Sequence, residues 1–318
     1  MKLNRSIFWV LPLLVLALPL VLNQYLQYVV NLILVYILVA VGFNIVVGNL
    51  GQLAFSNVAF FGIGAYASGI LTTQLGMPWW LTVIPAGLCG ALAGCAASIP
   101  ALRGVRLFYL AIMTLAFGEL MRWSYIRTPG LTGGSMGLTV PEPEVFGWLL
   151  TTEHQKFYVF LFIVLVVVIA TSRLLESRIG RAFLAIKNDE NAAAAMGIPT
   201  GQYFLLAFAL SGFIVGIGGS MYAALVGHLS PEDFDLIQVI LHFAIIMVGG
   251  LGSLIGSVLG SILITATPEV IRHFEWLVGS EEWIFGVAII VVILFLPRGL
   301  SSLLAKVNPI FKDRYYRD

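Results

Sequence analysis

Residues 178–199 read RIGRAFLAIKNDENAAAAMGIP, the longest strongly polar stretch in an otherwise apolar chain. Apolar runs long enough to cross a bilayer flank it, at about residues 156–174 and 202–227. A polar loop between two such runs is typical of a chain that crosses a membrane several times. The loop therefore predicts an all-α polytopic membrane protein.

The second half of this loop carries the start and stop signals of a short helix. Asn188 or Asp189 is the predicted N-cap. Asp189 and Glu190 place negative charge at the positive end of the helix dipole. Residues 192–195 are all alanine, which favours a helix with almost no side-chain bulk. Gly197 is predicted to take a left-handed backbone conformation just after the helix. The sequence thus indicates a short helix with defined ends.

Two interpretations of this helix remain open from the pattern alone. A helix of about two turns is marginal by itself in water and needs a surface to pack on. Its smooth alanine face fits a shallow groove on another protein. Alternatively, the loop is an amphipathic connector that lies on the membrane surface.

The composition supports a membrane protein. The chain has 318 residues, of which 59% are hydrophobic and 10% are charged, whereas a soluble domain carries about a quarter charged residues. Cys89 and Cys95 fall inside an apolar run, so we expect no disulfide framework. The basic start leads into an apolar run that we interpret as a retained first span rather than a cleaved signal. We treat residues 1–318 as one transmembrane domain.

Hydropathy predicts about ten transmembrane helices, with eight or nine as alternatives because two of the segments are short. The segments lie at about residues 7–23, 25–47, 56–75, 79–100, 107–126, 156–174, 202–227, 236–250, 254–268 and 283–297.

The positions of the basic residues orient these spans. Four basic groups are separated by even numbers of spans. They begin the chain or follow spans four, six and ten: Lys2 and Arg5; Arg103 and Arg106; Arg173, Arg178, Arg181 and Lys187; and Arg298, Lys306, Lys312, Arg314 and Arg317. Both termini and a loop at about residues 175–201 are therefore predicted to be cytoplasmic. A loop at about residues 127–155 is predicted to lie outside, and its Glu142, Glu144 and Glu153 are expected to face a soluble partner.

Two glycine segments share a pattern. Residues 47–53 and 248–254 both read V-G-x-L-G-x-L, and glycine permits tight backbone turns. We predict broken helices near residues 48–51 and 249–252, because paired interruptions in the two halves of a transporter often mark its pathway. The candidate pathway residues are Gly48, Asn49, Gly51, Gln52, Ser56, Asn57, Gly249, Gly250 and Gly252.

Several of these segments resemble a known family. The loop at residues 178–199 resembles the cytoplasmic coupling loop of ABC importer permeases, and in detail that of the branched-chain amino acid permeases of the LivM type. Residues 56–66, SNVAFFGIGAY, and residues 132–138, TGGSMGL, are also similar to that type, although the family often has His in place of Asn57. The residues that match the coupling loop or lie within it are Arg181, Asp189, Glu190, Ala192, Ala193 and Gly197.

The resemblance implies a function and a set of partners. It implies an ABC importer permease that moves branched-chain amino acids, or related small amino acids and amides, by alternating access across the bacterial inner membrane. The implied partners are a second, LivH-like permease, two cytoplasmic ATPases and an extracytoplasmic substrate-binding protein. ATP would be hydrolysed by those ATPases, so this chain itself would bind no cofactor.

The alternative function is a stand-alone secondary transporter or channel for a small polar solute. It would need ionisable groups inside the membrane, and Glu119 and His242 are the candidates. We expect Glu119 to pair with Arg122, three residues on, and His242 to be a buried, hydrogen-bonded residue four residues from Gln238. The sequence has no phosphate-binding loop, metal-ligand cluster or hydrolase motif, so we expect no enzyme, no metal and no nucleic-acid partner.

Overall fold

The computed structural model describes residues 22–272, together with residues 19, 286 and 299–301. Its helices are α1 (Gln24–Asn44), α2 (Asn57–Leu75), α3 (Trp79–Ala97), α4 (Ile99–Leu102), α5 (Leu107–Arg127), α6 (Pro129–Thr132), α7 (Glu153–Glu176), α8 (Arg178–Asn188), α9 (Glu190–Ala195), α10 (Thr200–Val226), α11 (Leu236–Gly249) and α12 (Leu254–Arg272). The predicted spans at 7–23 and 283–297, and the basic clusters at both termini, lie largely outside the described residues.

Within the described residues, five helices are long and apolar enough to cross a membrane: Gln24–Asn49, Asn57–Leu75, Trp79–Ala97, Glu153–Glu176 and Thr200–Val226. Two shorter apolar helices, Leu236–Gly249 and Leu254–Glu269, follow. The predicted span at 107–126 forms the long helix α5, but α5 is not among the five. The chain is helical and polytopic, and the number of ten spans stays a prediction.

Helix α10 lies at the centre of the bundle and packs against α1, α2 and α3. Its small residues explain how closely these neighbours approach. A Cβ on Gly64 of α2 would collide with the backbone of Gly216, and one on Gly90 of α3 would collide with that of Gly212. Helices meet this closely where both surfaces carry glycine or another small residue.

Four two-residue strands form at one end of the bundle, although the sequence predicted an all-α protein. They are β1 (Leu138–Thr139), β2 (Glu144–Val145), β3 (Trp148–Leu149) and β4 (His228–Leu229). β1 pairs with β4, and β2 pairs with β3 in a hairpin. The β1–β4 pair ties the connection between α5 and α7 to the end of α10. Helix α7 begins at this end and leads to α8 at the opposite end.

Candidate functional site

The two glycine segments meet at the end of the bundle that carries α8. Helix α1 continues as one π-helical stretch, Ile45–Asn49, and the chain then turns at Gly51 with a φ of +78°. Between α11 and α12, Gly250 and Gly252 have φ values of +116° and +83°. A Cβ on Gly48 would collide with the backbone nitrogen of Gly252. Both predicted helix breaks therefore exist, and they lie in contact with each other.

Asn44 links the two segments. Its side-chain oxygen accepts a hydrogen bond from the Gly252 backbone nitrogen at 2.8 Å. Its side-chain nitrogen donates to the Ser253 carbonyl at 3.0 Å and to the Ser257 hydroxyl at 2.9 Å. Asn44 is fully buried, and removing one partner of a buried hydrogen bond is costly. Asn44 was not among the predicted residues, although an amide inside an apolar span four residues before Gly48 is a signal that could have indicated it.

The other candidates around the first break are mostly turned inward. The Asn49 side chain donates to the Asn44 carbonyl at 3.1 Å. Gln52 is buried, and its side-chain oxygen has no hydrogen-bond partner among the described residues. Ser56 is also buried, and its carbonyl accepts from the Phe60 nitrogen in the first turn of α2. Gln52 and Ser56 are thus turned inward, and the Asn49 side chain holds the last turn of the π-helical stretch.

A second polar cluster lies next to the glycine segments and joins two candidates from distant parts of the sequence. Asn57 Nδ2 lies 2.9 Å from His242 Nδ1. Gln238 Nε2 lies 3.4 Å from His242 Nε2 and donates to the Tyr36 hydroxyl at 2.8 Å. His242 is fully buried, as predicted, and Phe61 packs edge-on against its ring. Asn57, the position where the LivM type often has His, and His242 are thus direct neighbours.

We expect the substitution Asn57→Leu to destabilise the protein by about 1–3 kcal/mol, because it leaves the buried His242 nitrogen without its partner. Thermal unfolding of the detergent-purified protein measures this effect. Asn23→Leu is the control, because Asn23 is exposed and makes no side-chain cap hydrogen bond at the start of α1. Equal melting temperatures for the two variants would show that the Asn57 contact contributes nothing.

The loop at 178–199 contains two helices, whereas only its second half was predicted to be helical. The Ser177 hydroxyl caps α8 by accepting from the Ile179 nitrogen. Helix α8 is amphipathic, and it buries Ala182, Phe183 and Ile186. A helix of 11 residues is marginal by itself in water, so the packing of this buried face decides whether it forms.

The predicted ends of α9 are confirmed. The Asp189 carboxylate caps it by accepting from the nitrogens of Asn191 and Ala192 at 2.9 and 3.0 Å, and Gly197 has a φ of +85°. Ala193 packs inward, and Ala192 is exposed. Met196 follows with 84% of its surface exposed. The outer side of α9 is therefore a small apolar patch at the surface of the molecule.

Glu190 binds within its own chain. Arg106, in the turn between α4 and α5, donates to both of its carboxylate oxygens at 2.7 and 2.6 Å. The guanidinium carbon of Arg106 also lies 4.2 Å from the centre of the Phe204 ring, in the first turns of α10. Glu190 was predicted as a residue of the coupling loop, and nothing in the sequence pattern indicated Arg106 as its partner. The carboxylate instead fixes the start of α9 to two other parts of the bundle.

Lys187 connects this loop to the glycine segments. A Cβ on Gly51 would lie 2.8 Å from Lys187 Cγ, and one on Gly252 would lie 3.8 Å from Lys187 Nζ. Partial burial lowers the pKa of Lys187 below its usual value. By contrast Arg181 is exposed, and among the described residues its side chain donates to the Glu176 carbonyl, at 3.3 Å. One side chain of α8 thus packs against Gly51 and lies near Gly252.

Residues 25–296 match the family described as branched-chain amino acid transport system / permease component. The chain belongs to this family. It is 31% identical to the high-affinity branched-chain amino acid transport system permease protein LivM of Escherichia coli (strain K12), over 86% of this chain and 69% of the relative.

Two further relatives are other permeases of such systems. The chain is 24% identical to LivH of Escherichia coli (strain K12), over 83% of this chain and 90% of the relative. It is also 24% identical to BraD of Pseudomonas aeruginosa, over 87% of this chain and 95% of the relative. No solved structure matches the chain. Its relatives are transport permease subunits rather than enzymes.

At the strand end of the permease, the glycine-rich stretch at 132–138 forms a compact turn. A Cβ on Gly133 would collide with the Gly137 carbonyl, and one on Gly137 with that of Leu229. The turn leads directly into β1, and its backbone packs against β4. Glu153 was predicted to face a soluble partner. Instead, its carboxylate accepts hydrogen bonds from Lys156 at 2.9 Å and from Asn31 at 2.8 Å.

The remaining intramembrane candidate lies apart from the glycine segments. Glu119 on α5 accepts from Arg122 at 3.0 Å, which confirms the predicted pair. Among the described residues of the permease, no group of three or more His, Cys, Asp and Glu side chains could hold a metal ion.

Proposed function

We propose that this chain is the membrane-spanning permease subunit of an ABC importer that moves branched-chain amino acids. The observation that carries the proposal is the family match, which covers almost the whole described chain. The names of the relatives supply the substrate class. The partners would be a LivH-like permease, two cytoplasmic ATPases that hydrolyse ATP, and an extracytoplasmic substrate-binding protein.

In this mechanism the loop at 178–199 receives force from an ATPase. The exposed side of α9, which includes Ala192 and Met196, is the docking surface that we propose. The ion pair with Arg106 passes movement of α9 to the turn before α5. Lys187 passes movement of α8 to both glycine segments. Tilting of the helices at these breaks would open and close the pathway, as alternating access requires.

The Asn44 bridge supports the view that the contact between the glycine segments is a gate. It joins α1 to the start of α12 by three hydrogen bonds from one side chain. Separation of the two segments must break these bonds and leave polar groups to be satisfied by water. We propose that the contact alternates between this closed arrangement and an open one, as a gate needs to do.

We propose that the permease lies in the bacterial inner membrane with both termini and the loop at 178–199 in the cytoplasm. A cysteine at Asn191, in a background without Cys89 and Cys95, is expected to react with a membrane-impermeant thiol reagent only from the cytoplasmic side. A cysteine at Glu144 is expected to react only from outside. Labelling of both from one side would contradict this topology and the docking surface with it.

The function itself is tested by leucine, isoleucine and valine uptake into proteoliposomes that hold the assembled transporter. We expect uptake that requires ATP on the cytoplasmic side and the substrate-binding protein on the other. Uptake driven by an ion gradient, without ATP, would instead support the secondary-transporter alternative. ATP-driven uptake of other small solutes alone would overturn the substrate class and leave the transporter class standing.

A further inference from the structure

Helix α5 exposes a long stripe that the described part of the chain leaves uncovered. It packs inward through Leu110, Ala111, Thr114 and Tyr125. The exposed large side chains recur at helical spacing along the opposite face: Tyr109, Ile112, Met113, Leu120 and Trp123. Aromatic residues and methionine are enriched in protein–protein interfaces. By itself, however, such a stripe would suit lipid equally well.

The ion pair on the edge of this stripe argues against lipid. Glu119 and Arg122 keep 43% and 33% of their side chains exposed. At 1.5 Å per residue, Glu119 lies about 18 Å along α5 from Leu107 and about 12 Å from Arg127. A charged pair at that depth is costly in hydrocarbon, and such residues normally face protein or water.

Helix α7 provides an internal comparison. It is also largely exposed, and its exposed face carries Phe162, Leu165, Val166 and Ile169. Its most apolar window has a mean hydropathy of 2.5, and no charged residue lies between Lys156 and Arg173. The outward face of α7 therefore suits lipid, whereas that of α5 does not.

The described residues nearest the chain ends make their contacts elsewhere. The Pro19 carbonyl accepts from the Gln27 side chain on α1. The Leu300 nitrogen donates to the Val248 carbonyl on α11. Neither contact involves α5, so these residues give no reason to place a terminal segment on its stripe.

We propose that the stripe on α5 is the surface on which the second, LivH-like permease packs, and that a polar group of that subunit meets Glu119 and Arg122. This inference rests on the proposed function for the existence of a second permease. Escherichia coli (strain K12) has relatives of both permease types, and each matches this chain over more than 80% of its length. A related second chain is therefore a fitting occupant.

Site-specific photo-cross-linking in membranes that contain the complete transporter tests the proposal. Benzoylphenylalanine at Leu120 is expected to give an adduct with the second permease. The matched control is Leu165, because the two leucines are 55% and 50% exposed on α5 and α7. An equal adduct from Leu165, an adduct between two copies of this chain, or an adduct within one chain would overturn the proposal.

A second measurement addresses the ion pair. The double substitution Glu119→Leu with Arg122→Leu is expected to lower recovery of the second permease in co-purification by about tenfold, because it leaves the partner's polar group unpaired. Unchanged recovery would overturn the role of the pair. Neither readout depends on transport. A transporter that does not carry branched-chain amino acids but still gives the Leu120 adduct would therefore refute the proposed function and not the interface.

Discussion

Substitution of Gly252 by valine is expected to lower ATP-driven uptake at least about tenfold, because the variant strains a left-handed backbone that faces Gly48. Gly252 has a φ of +83°, and a Cβ there would lie 3.2 Å from the Gly48 carbonyl oxygen. A β-branched side chain at such a φ is a genuine outlier. The backbone would relax by moving away from Gly48, which would also pull its nitrogen from Asn44.

The control for this experiment is Gly76→Val. Gly76 follows α2 with a φ of +62°, and a Cβ there would meet nothing within 4 Å. Both variants therefore carry backbone strain, but only Gly252→Val disturbs the contact between the glycine segments. Uptake of radiolabelled leucine, normalised to permease in the membrane, gives the comparison. Equal uptake by the two variants would mean that the contact between the segments has no part in transport.

The features that the sequence predicted well are local ones. A capping carboxylate and a glycine after the last turn act within a few residues, so Asp189 and Gly197 could be assigned from their neighbours alone. The two helix breaks could also be assigned from local sequence, because Gly51 and Gly252 interrupt apolar runs. The repeat of the same motif suggested that the breaks belong together, and their contact agrees with this.

The features that the sequence did not predict depend on contacts between distant residues. Arg106 and Glu190 are 84 positions apart, and Asn44 and Gly252 are 208 apart. Such pairs follow from how helices are arranged and rotated, which hydropathy does not determine. Helix α8 was missed for a related reason, since its amphipathic pattern becomes informative only once Phe183 is seen to be buried.

The ion pair between Arg106 and Glu190 gives the second large effect. We expect Arg106→Glu or Glu190→Arg alone to reduce uptake and ATPase co-purification by about tenfold, since a bidentate, partly buried arginine–carboxylate pair contributes about 1–2 kcal/mol. The two side chains are 26% and 28% exposed, so water weakens the pair without removing it. Each single variant also places two like charges together.

The double exchange, Arg106→Glu with Glu190→Arg, separates this contact from a simple change of charge. If the pair holds α9 in its docking position, the exchange is expected to restore a large part of both activities. Arg103→Glu is the charge control, because Arg103 is exposed in the same turn and forms no ion pair within the described residues. No recovery in the double variant, with Arg103→Glu equally impaired, would indicate that the ATPase responds to the total charge of this surface. The ion pair would then have no specific part in holding α9 in its docking position.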